Sequence, residues 1–220
     1  MPHRIFNSAF LEALVSGEIR FPMRKPVFVP ELIGTSDYIG LNFYQRYRVA
    51  LAPLSPGTFF LQQIPDPSSP QPPPLWGEIY PQGIYDIISW IYSKMRLPIY
   101  ITETGTPDIG DEVRRWYLVQ MVHSVWRAIN FNLPVRGLYY WSLVDSFEWT
   151  AGYNPQFRFG LYAMDFETQV RTARPSAALY ADICAARGLS RAVVAQHVPG
   201  LVDQLFPLEA PAQEVRWAGR

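Results

Sequence analysis

Three short, largely apolar runs carry apolar residues on both faces of an extended chain: Tyr38-Ile39-Gly40-Leu41, Ile99-Tyr100-Ile101-Thr102 and Val135 to Trp141. Segments with helical periodicity separate them. Strands that are apolar on both faces belong to parallel sheets buried under helices. Between the first two runs, Ile84, Ile87, Ile88, Ile91 and Met95 share one face of an amphipathic helix, which Leu97-Pro98 ends. Between the second and third, Asp111 is placed to cap a helix reaching about Asn130, with Leu118, Val122, Val125 and Ile129 on its inner face. A helix over Phe6 to Leu14, ending near Gly17, precedes the first run. After the third come an extended run from Phe159 to Met164 and a final helix from Pro175 to about Arg187. This alternation predicts a parallel α/β architecture. Three strands alone leave two edges and a large uncovered face, so the sheet reads as part of a larger one.

An apolar fraction of 49% against 17% charged residues predicts a buried core rather than disorder. Beyond Ser190 the periodicity weakens and prolines scatter, so residues 1–189 are read as the folded unit and 190–220 as a poorly packed C-terminal tail. Residues 65–74 hold six prolines and can be neither helix nor central strand. That loop is either a solvent-exposed insertion or the rim of a substrate cleft. Nineteen basic residues balance nineteen acidic ones without a basic stripe, which argues against nucleic acid as a partner. Cys184 is the single cysteine, and the three histidines, at 3, 123 and 197, lack ligand-like spacing, so no metal site is expected. No run of 18 apolar residues and no charged-then-apolar leader is present, which predicts a cytoplasmic protein without a membrane span.

The strand exits carry the chemistry. Asn42 and Tyr44 follow the first run, Glu103 follows the second, and Trp141 to Trp149 follow the third. A carboxylate set directly after an apolar strand is rigid and partly desolvated, which suits a nucleophile. A tyrosine from the neighbouring strand can donate a hydrogen bond to it and hold it ionised. For Glu103 alone a helix cap or loop acid would be the simpler reading, and the convergence of three exits favours a site. Trp141 and Trp149 flank Asp145 and Glu148. Indoles stack on the C–H faces of sugars and carboxylates pair with hydroxyls, so this loop suits carbohydrate. Core packing for the indoles and capping for the acids stand open beside that reading.

At these residues the chain resembles glycoside hydrolase family 1, the β-glucosidase family. Ile101-Thr102-Glu103-Thr104-Gly105 is similar to its I-T-E-N-G nucleophile motif, and Trp141 to Trp149 to its W-S-L-x-D-N-F-E-W segment. Gly40-Leu41-Asn42-Phe43-Tyr44 resembles its G-x-N-Y-Y strand exit. Arg158-Phe159-Gly160-Leu161, Asp165 and Arg174-Pro175-Ser176 resemble its R-F-G-L…D…R-P-S ending. The four motifs stand in the family's order, and the resemblance covers about residues 5–188. Thr104 and Ser146 depart from the motifs, each standing where the family has Asn. Both alter hydrogen bonding around the site without removing a catalytic side chain.

The resemblance implies a partial (β/α)8 TIM barrel covering about strands 6 to 8 with their helices, because the family's barrel has roughly 400 residues or more. It implies a retaining β-glycosidase that hydrolyses O-glycosidic bonds through a glycosyl ester on Glu103. Tyr44 would hydrogen-bond the nucleophile and Asn42 would sit near the sugar. Trp141 would form part of the sugar platform, Glu148 and Trp149 would bind its hydroxyls, and Phe159 would line the pocket. No metal or organic cofactor is needed. The family's T-x-N-E-P segment, which carries the acid/base Glu, has no counterpart in this chain, and the resemblance gives Glu148 sugar binding instead. The expected partners are a β-glycoside substrate and an N-terminal barrel fragment, or a second copy covering the open edges. The alternative is a catalytically inactive truncated fragment or sugar-binding remnant.

Overall fold

The computed structural model describes residues 8–21, 24–58, 60–64, 66–69 and 76–207. Helix α1 (Ala9–Ser16) ends where Gly17, at φ 73°, turns left-handed and its N–H closes back onto the Ala13 carbonyl at 2.8 Å. Phe6, where the predicted helix begins, lies outside the described residues. A short hairpin of β1 (Glu18–Ile19) and β2 (Val27–Phe28) follows, then β3 (Ile39–Asn42). A second hairpin, β4 (Val49–Leu51) with β5 (Leu61–Gln63), leads toward the proline-rich loop, most of which lies outside the described residues. The alternation then resumes with α2 (Gly83–Met95), β6 (Ile99–Thr104), α3 (Glu112–Asn130) and β7 (Val135–Tyr140). Strands β3, β6 and β7 form one parallel sheet in that order, as the three apolar runs predict.

The helices cover one face of this sheet. Ile84, Ile88 and Ile91 of α2 and Tyr117, Met121, Val125 and Ala128 of α3 pack on Ile39, Ile99 and Ile101. On the other face Gly40, Asn42, Thr102 and Tyr139 are exposed, which is the uncovered surface that three strands imply. Helix α2 stops where Arg96 goes left-handed, two residues before Pro98, as the sequence anticipates.

Three expectations need correction. The inner face of α3 is not the single stripe expected: Leu118 and Val125 are buried, Val122 is half-buried and Ile129 is 48% exposed. The helix lies between two cores, so Tyr117 and Met121 face the sheet while Leu118 and Val119 face the C-terminal helices. Asp111 stands at the N-cap of α3, but its side chain does not cap that helix. Its carboxylate accepts from Arg114, and from the Ser176 N–H and hydroxyl at 2.7 Å each, so it satisfies an orphan donor in the first turn of α4 (Pro175–Ala186). Nor is the segment after Ser190 loosely packed through its described part. Helix α5 (Arg191–His197) and the 3-10 turn Pro199–Leu201 that leads into α6 (Val202–Leu205) bring Val194 and Leu201 into a core with Leu118, Val119, Leu179 and Ile183. Each helix is too short to show a period, which is why the sequence reads as a tail. Residues 208–220 lie outside the described residues.

Between β7 and α4, Tyr162–Met164 (β8) pairs with Arg171–Ala173 (β9) as a short antiparallel hairpin. The strand begins three residues later than the expected run from Phe159. Among the described residues no helix is long and apolar enough to cross a membrane.

Candidate active site at the strand exits

Besides a shift between Ile99 and Tyr100 at the start of β6, the ladder is irregular at the strand exits. The β3–β6 register shifts between Leu41 and Asn42, and the β6–β7 register shifts between Ile101 and Thr104. Single backbone bonds close the gaps: Phe43 N–H to the Glu103 carbonyl at 2.9 Å, and Trp141 N–H to the Thr104 carbonyl at 2.8 Å. Bulges re-aim side chains at sheet ends. Here Tyr44 and Glu103, far apart in sequence, meet with the Tyr44 hydroxyl donating to Glu103 Oε2 at 2.7 Å. Burial pushes the Tyr44 phenol well above its ordinary pKa, and the accepting Glu103 and the charges of Glu103 and Glu148 push it further. Tyr44 is therefore a fixed donor rather than a titrating group.

From the exit of β7, the chain brings Trp141 and Glu148 back over the same place. The Trp141–Ser142 peptide is cis. Trp141 Nε1–H points at Glu148 Oε1 from 3.4 Å, a long hydrogen bond. Burial raises the Glu148 carboxyl above the usual range, with the charges of Asp145 and Glu103 adding to it and the Trp141 bond opposing it. Glu103, Tyr44, Trp141, Glu148, Trp149 and Phe159 all line one open cleft of about 680 Å³. Trp149 is 92% exposed at its rim, and Phe159 is buried at its wall.

One amide of the expected site and one acid of its loop lie elsewhere. Asn42 is exposed on the open face of the sheet, where its Oδ1 accepts from the Thr102 hydroxyl at 2.7 Å, and it lines a neighbouring groove along β3. Asp145 turns away from the cleft into a buried pair with Arg174, at 2.8 and 3.0 Å. It also accepts from the Gly160 and Met164 N–H groups. Of the two acids in this loop, one faces the cleft and the other holds the loop.

Sequence reading missed the opposite wall. Trp76 meets Phe159 at 5.3 Å and Tyr44 at 6.1 Å between ring centroids, both edge-on, and Phe157 stands behind it. Its placement comes from a paired backbone bridge between Arg46 and Glu78. The buried Glu78 carboxylate reinforces that bridge by accepting from Arg46 Nε and Arg48 Nε at 2.8 Å each. Gln45 and Tyr47 complete this side, with Gln45 Nε2 donating to the Tyr47 hydroxyl at 2.8 Å. The only sequence signal was a Trp immediately after a proline-rich loop, and periodicity gives that no direction.

The cleft thus combines a carboxylate held by a phenol, a second carboxylate of raised pKa and indole faces on two sides. The family model for glycosyl hydrolase family 1 matches residues 27–189. A β-galactosidase of Saccharolobus solfataricus is 35% identical over 79% of this chain and 36% of its own length. A β-glucosidase of Agrobacterium is 33% identical over 79% of this chain and 42% of its own. The solved β-glycosidase of Pyrococcus horikoshii superposes with a TM-score of 0.78 at 32% identity, covering 89% of this chain and 45% of that one. The chain therefore spans less than half the length of these relatives. With the match running from the residue that opens β2 to the end of α4 and through every strand exit of the cleft, the chain belongs to glycosyl hydrolase family 1.

Proposed function

We propose that this chain carries the nucleophile side of a retaining β-glycosidase, with β3, β6 and β7 as strands 6 to 8 of the barrel. The observation that carries the reading is the 2.7 Å bond from Tyr44 to Glu103 inside an aromatic cleft at three strand exits. Glu103 attacks the anomeric carbon of a β-glycoside from the face opposite the aglycone. The bond from that carbon to the aglycone oxygen breaks, and the oxygen takes a proton from a carboxylic acid contributed by the family's earlier strands. Water, activated by the same group, then hydrolyses the ester and returns Glu103 as carboxylate. Trp141 stacks on the sugar, Glu148 and Trp149 take its hydroxyls, Phe159 shapes the wall, and Asn42 reaches the sugar from the open face of the sheet.

In this reading Tyr44 donates to the attacking carboxylate and sets its orientation, so that one oxygen is held while the other is free to attack. Acid catalysis contributes typically ~10²–10⁴-fold, and an activated leaving group does without it. The test is hydrolysis of dinitrophenyl β-glucoside by the wild-type chain and by Glu103→Ala. Turnover in the wild type that is lost in the variant supports the reading. Equal rates in both assign the cleft another role.

The second reading is a sugar-binding remnant or inactive fragment, and the uncovered sheet face with exposed Asn42, Thr102 and Tyr139 favours it. Saturable glucose or cellobiose binding without turnover by this chain, and without gain on mixing with a polypeptide carrying the earlier strands, supports this alternative. Light scattering behind size exclusion reports whether a second copy covers the face instead.

A further inference from the structure

Thr104, where the chain departs from the family motif, and Tyr117 on α3 are both fully buried directly behind the cleft. Their hydroxyls lie 2.7 Å apart. The Tyr117 hydroxyl is also 3.4 Å from the Phe43 carbonyl and 3.4 Å from the Tyr44 carbonyl. Either hydroxyl can donate to the other, and Thr104 donating to Tyr117 leaves the phenol proton for those two carbonyls, both at long hydrogen-bond distance. The two carbonyls bracket the Cα of Tyr44. Thr104 directly follows Glu103, and its own carbonyl receives the Trp141 N–H at 2.8 Å.

These contacts fall at the level where the ladder is irregular on both sides of β6. There the strand exits are joined by single backbone bonds rather than a regular ladder, and one phenol touches both segments whose side chains meet in the cleft. Burial keeps the Tyr117 phenol protonated by raising its pKa, against the opposing hydrogen bond from Thr104. We infer that Thr104 and Tyr117 are a positioning pair: a hydroxyl strut on the core side of the sheet that sets the backbone of Tyr44 against Glu103 and so fixes the hydrogen bond between them. The inference rests on the reading of Glu103 as the nucleophile only for its kinetic consequence. The geometric consequence stands apart from it.

The first experiment therefore needs no activity. The Cζ carbon shift of tyrosine reports hydrogen bonding at the phenol oxygen, and in chain labelled at that carbon the Tyr44 signal is assigned with Tyr44→Phe. Tyr117→Phe and Thr104→Val are expected to move or broaden that signal, and Thr104→Ser, which keeps the hydroxyl, to leave it in place. Circular dichroism checks that each variant is folded. An unmoved Tyr44 signal in both folded variants overturns the inference, and so does a signal that Thr104→Ser moves as far as Thr104→Val.

The second experiment follows covalent labelling of Glu103 by dinitrophenyl 2-deoxy-2-fluoro-β-glucoside, read as added mass. A carboxylate oxygen bonds to the anomeric carbon while dinitrophenolate leaves with the electron pair of the broken bond. Tyr117→Phe is expected to slow the labelling step about tenfold at unchanged probe affinity, as small misplacements of reacting groups do. In a Tyr44→Phe background, where the bond being positioned is gone, the same substitution should change the rate less than about twofold. Equal slowing in both backgrounds refutes positioning. Wild-type chain that shows the Tyr44 shifts but takes no label refutes the nucleophile reading alone.

Discussion

Asp145→Ala tests the claim that the cleft loop is held from behind. The Asp145 side chain is 2% exposed and that of Arg174 14%, and the guanidinium engages both carboxylate oxygens. Two backbone amides, Gly160 at 2.8 Å and Met164 at 3.3 Å, depend on the same carboxylate. Removing one partner of a buried pair costs about 3–5 kcal/mol because the other charge is left uncompensated. An orphaned buried amide adds roughly 1–3 kcal/mol. These terms overlap, and Arg174 keeps its bond to the Gly160 carbonyl and some access to water. The expected loss is therefore about 4 kcal/mol, a large part of the roughly 5–15 kcal/mol that folded domains possess.

Urea unfolding followed by tryptophan fluorescence measures the loss, provided the slope is unchanged between variants. Asp145→Leu combined with Arg174→Met removes both charges and should recover more than half of it. The pH dependence supplies a second check. Burial alone would raise the Asp145 carboxyl, but Arg174 and the two amides outweigh it and hold the carboxyl below the usual range. A carboxyl lowered by folding stabilises above its unfolded pKa of about 3.9, and loses that contribution as pH falls through its folded value. The gap between wild type and Asp145→Ala should narrow below about pH 4. A loss under about 1 kcal/mol at pH 7, the range of exposed pairs, refutes the reasoning.

Glu148 runs the opposite way, because folding raises its pKa. Its charge opposes folding above its unfolded value, so Glu148→Gln should melt higher than wild type at pH 8, with the difference gone at pH 4. Gly105→Ala places a Cβ 2.1 Å from the Trp141 carbonyl oxygen, a contact with backbone that no side-chain rotation relieves. The variant should lose at least about 2 kcal/mol in urea titration, as forced overpacking does. Val194→Asp buries an unpaired carboxylate at a position with 0% exposure. It should lower the melting temperature by about 10 °C or more if α5 is part of the fold, and by almost nothing if that segment is a loose tail.

The parallel sheet was legible because its three strands are short, apolar and bounded by prolines or helices with a clear 3.6-residue period. Helix α2 has one partner surface, so Ile84, Ile88 and Ile91 form a single stripe. Helix α3 has two, and a helix buried on both sides shows no clean stripe from which to choose inward residues. Asp111 illustrates a different limit. Its place before a helix predicts a local cap, whereas the competing donors come from Ser176, remote in sequence. The exits of the strands were readable for the same reason as the strands: Glu103 and Tyr44 stand where an apolar run stops. Trp76 was not, because a bridge to Arg46 places it, and that bridge depends on which way the proline-rich loop returns.

Asp145 and Glu148 show why a loop composition leaves sugar binding and structural capping undecided. Both acids sit between the same two indoles, yet the fold sends them to different places, Asp145 into an ion pair and Glu148 toward the cleft. What separates them is Arg174, supplied after β9, which captures the first acid and leaves the second facing the cleft. The same logic bears on the open face of the sheet. Helices α2 and α3 satisfy one side, while Gly40, Asn42, Thr102 and Tyr139 stand exposed on the other. In a (β/α)8 barrel that side is filled by layers of side chains from every strand, and the active site lies at the mouth of the same interior. A polypeptide that covers this face must therefore reach the edge of the Glu103 cleft as well. Under the barrel reading, completing the core and completing the catalytic pair are one event, so gains in stability and in turnover of substrates with poor leaving groups should appear at the same concentration of added partner.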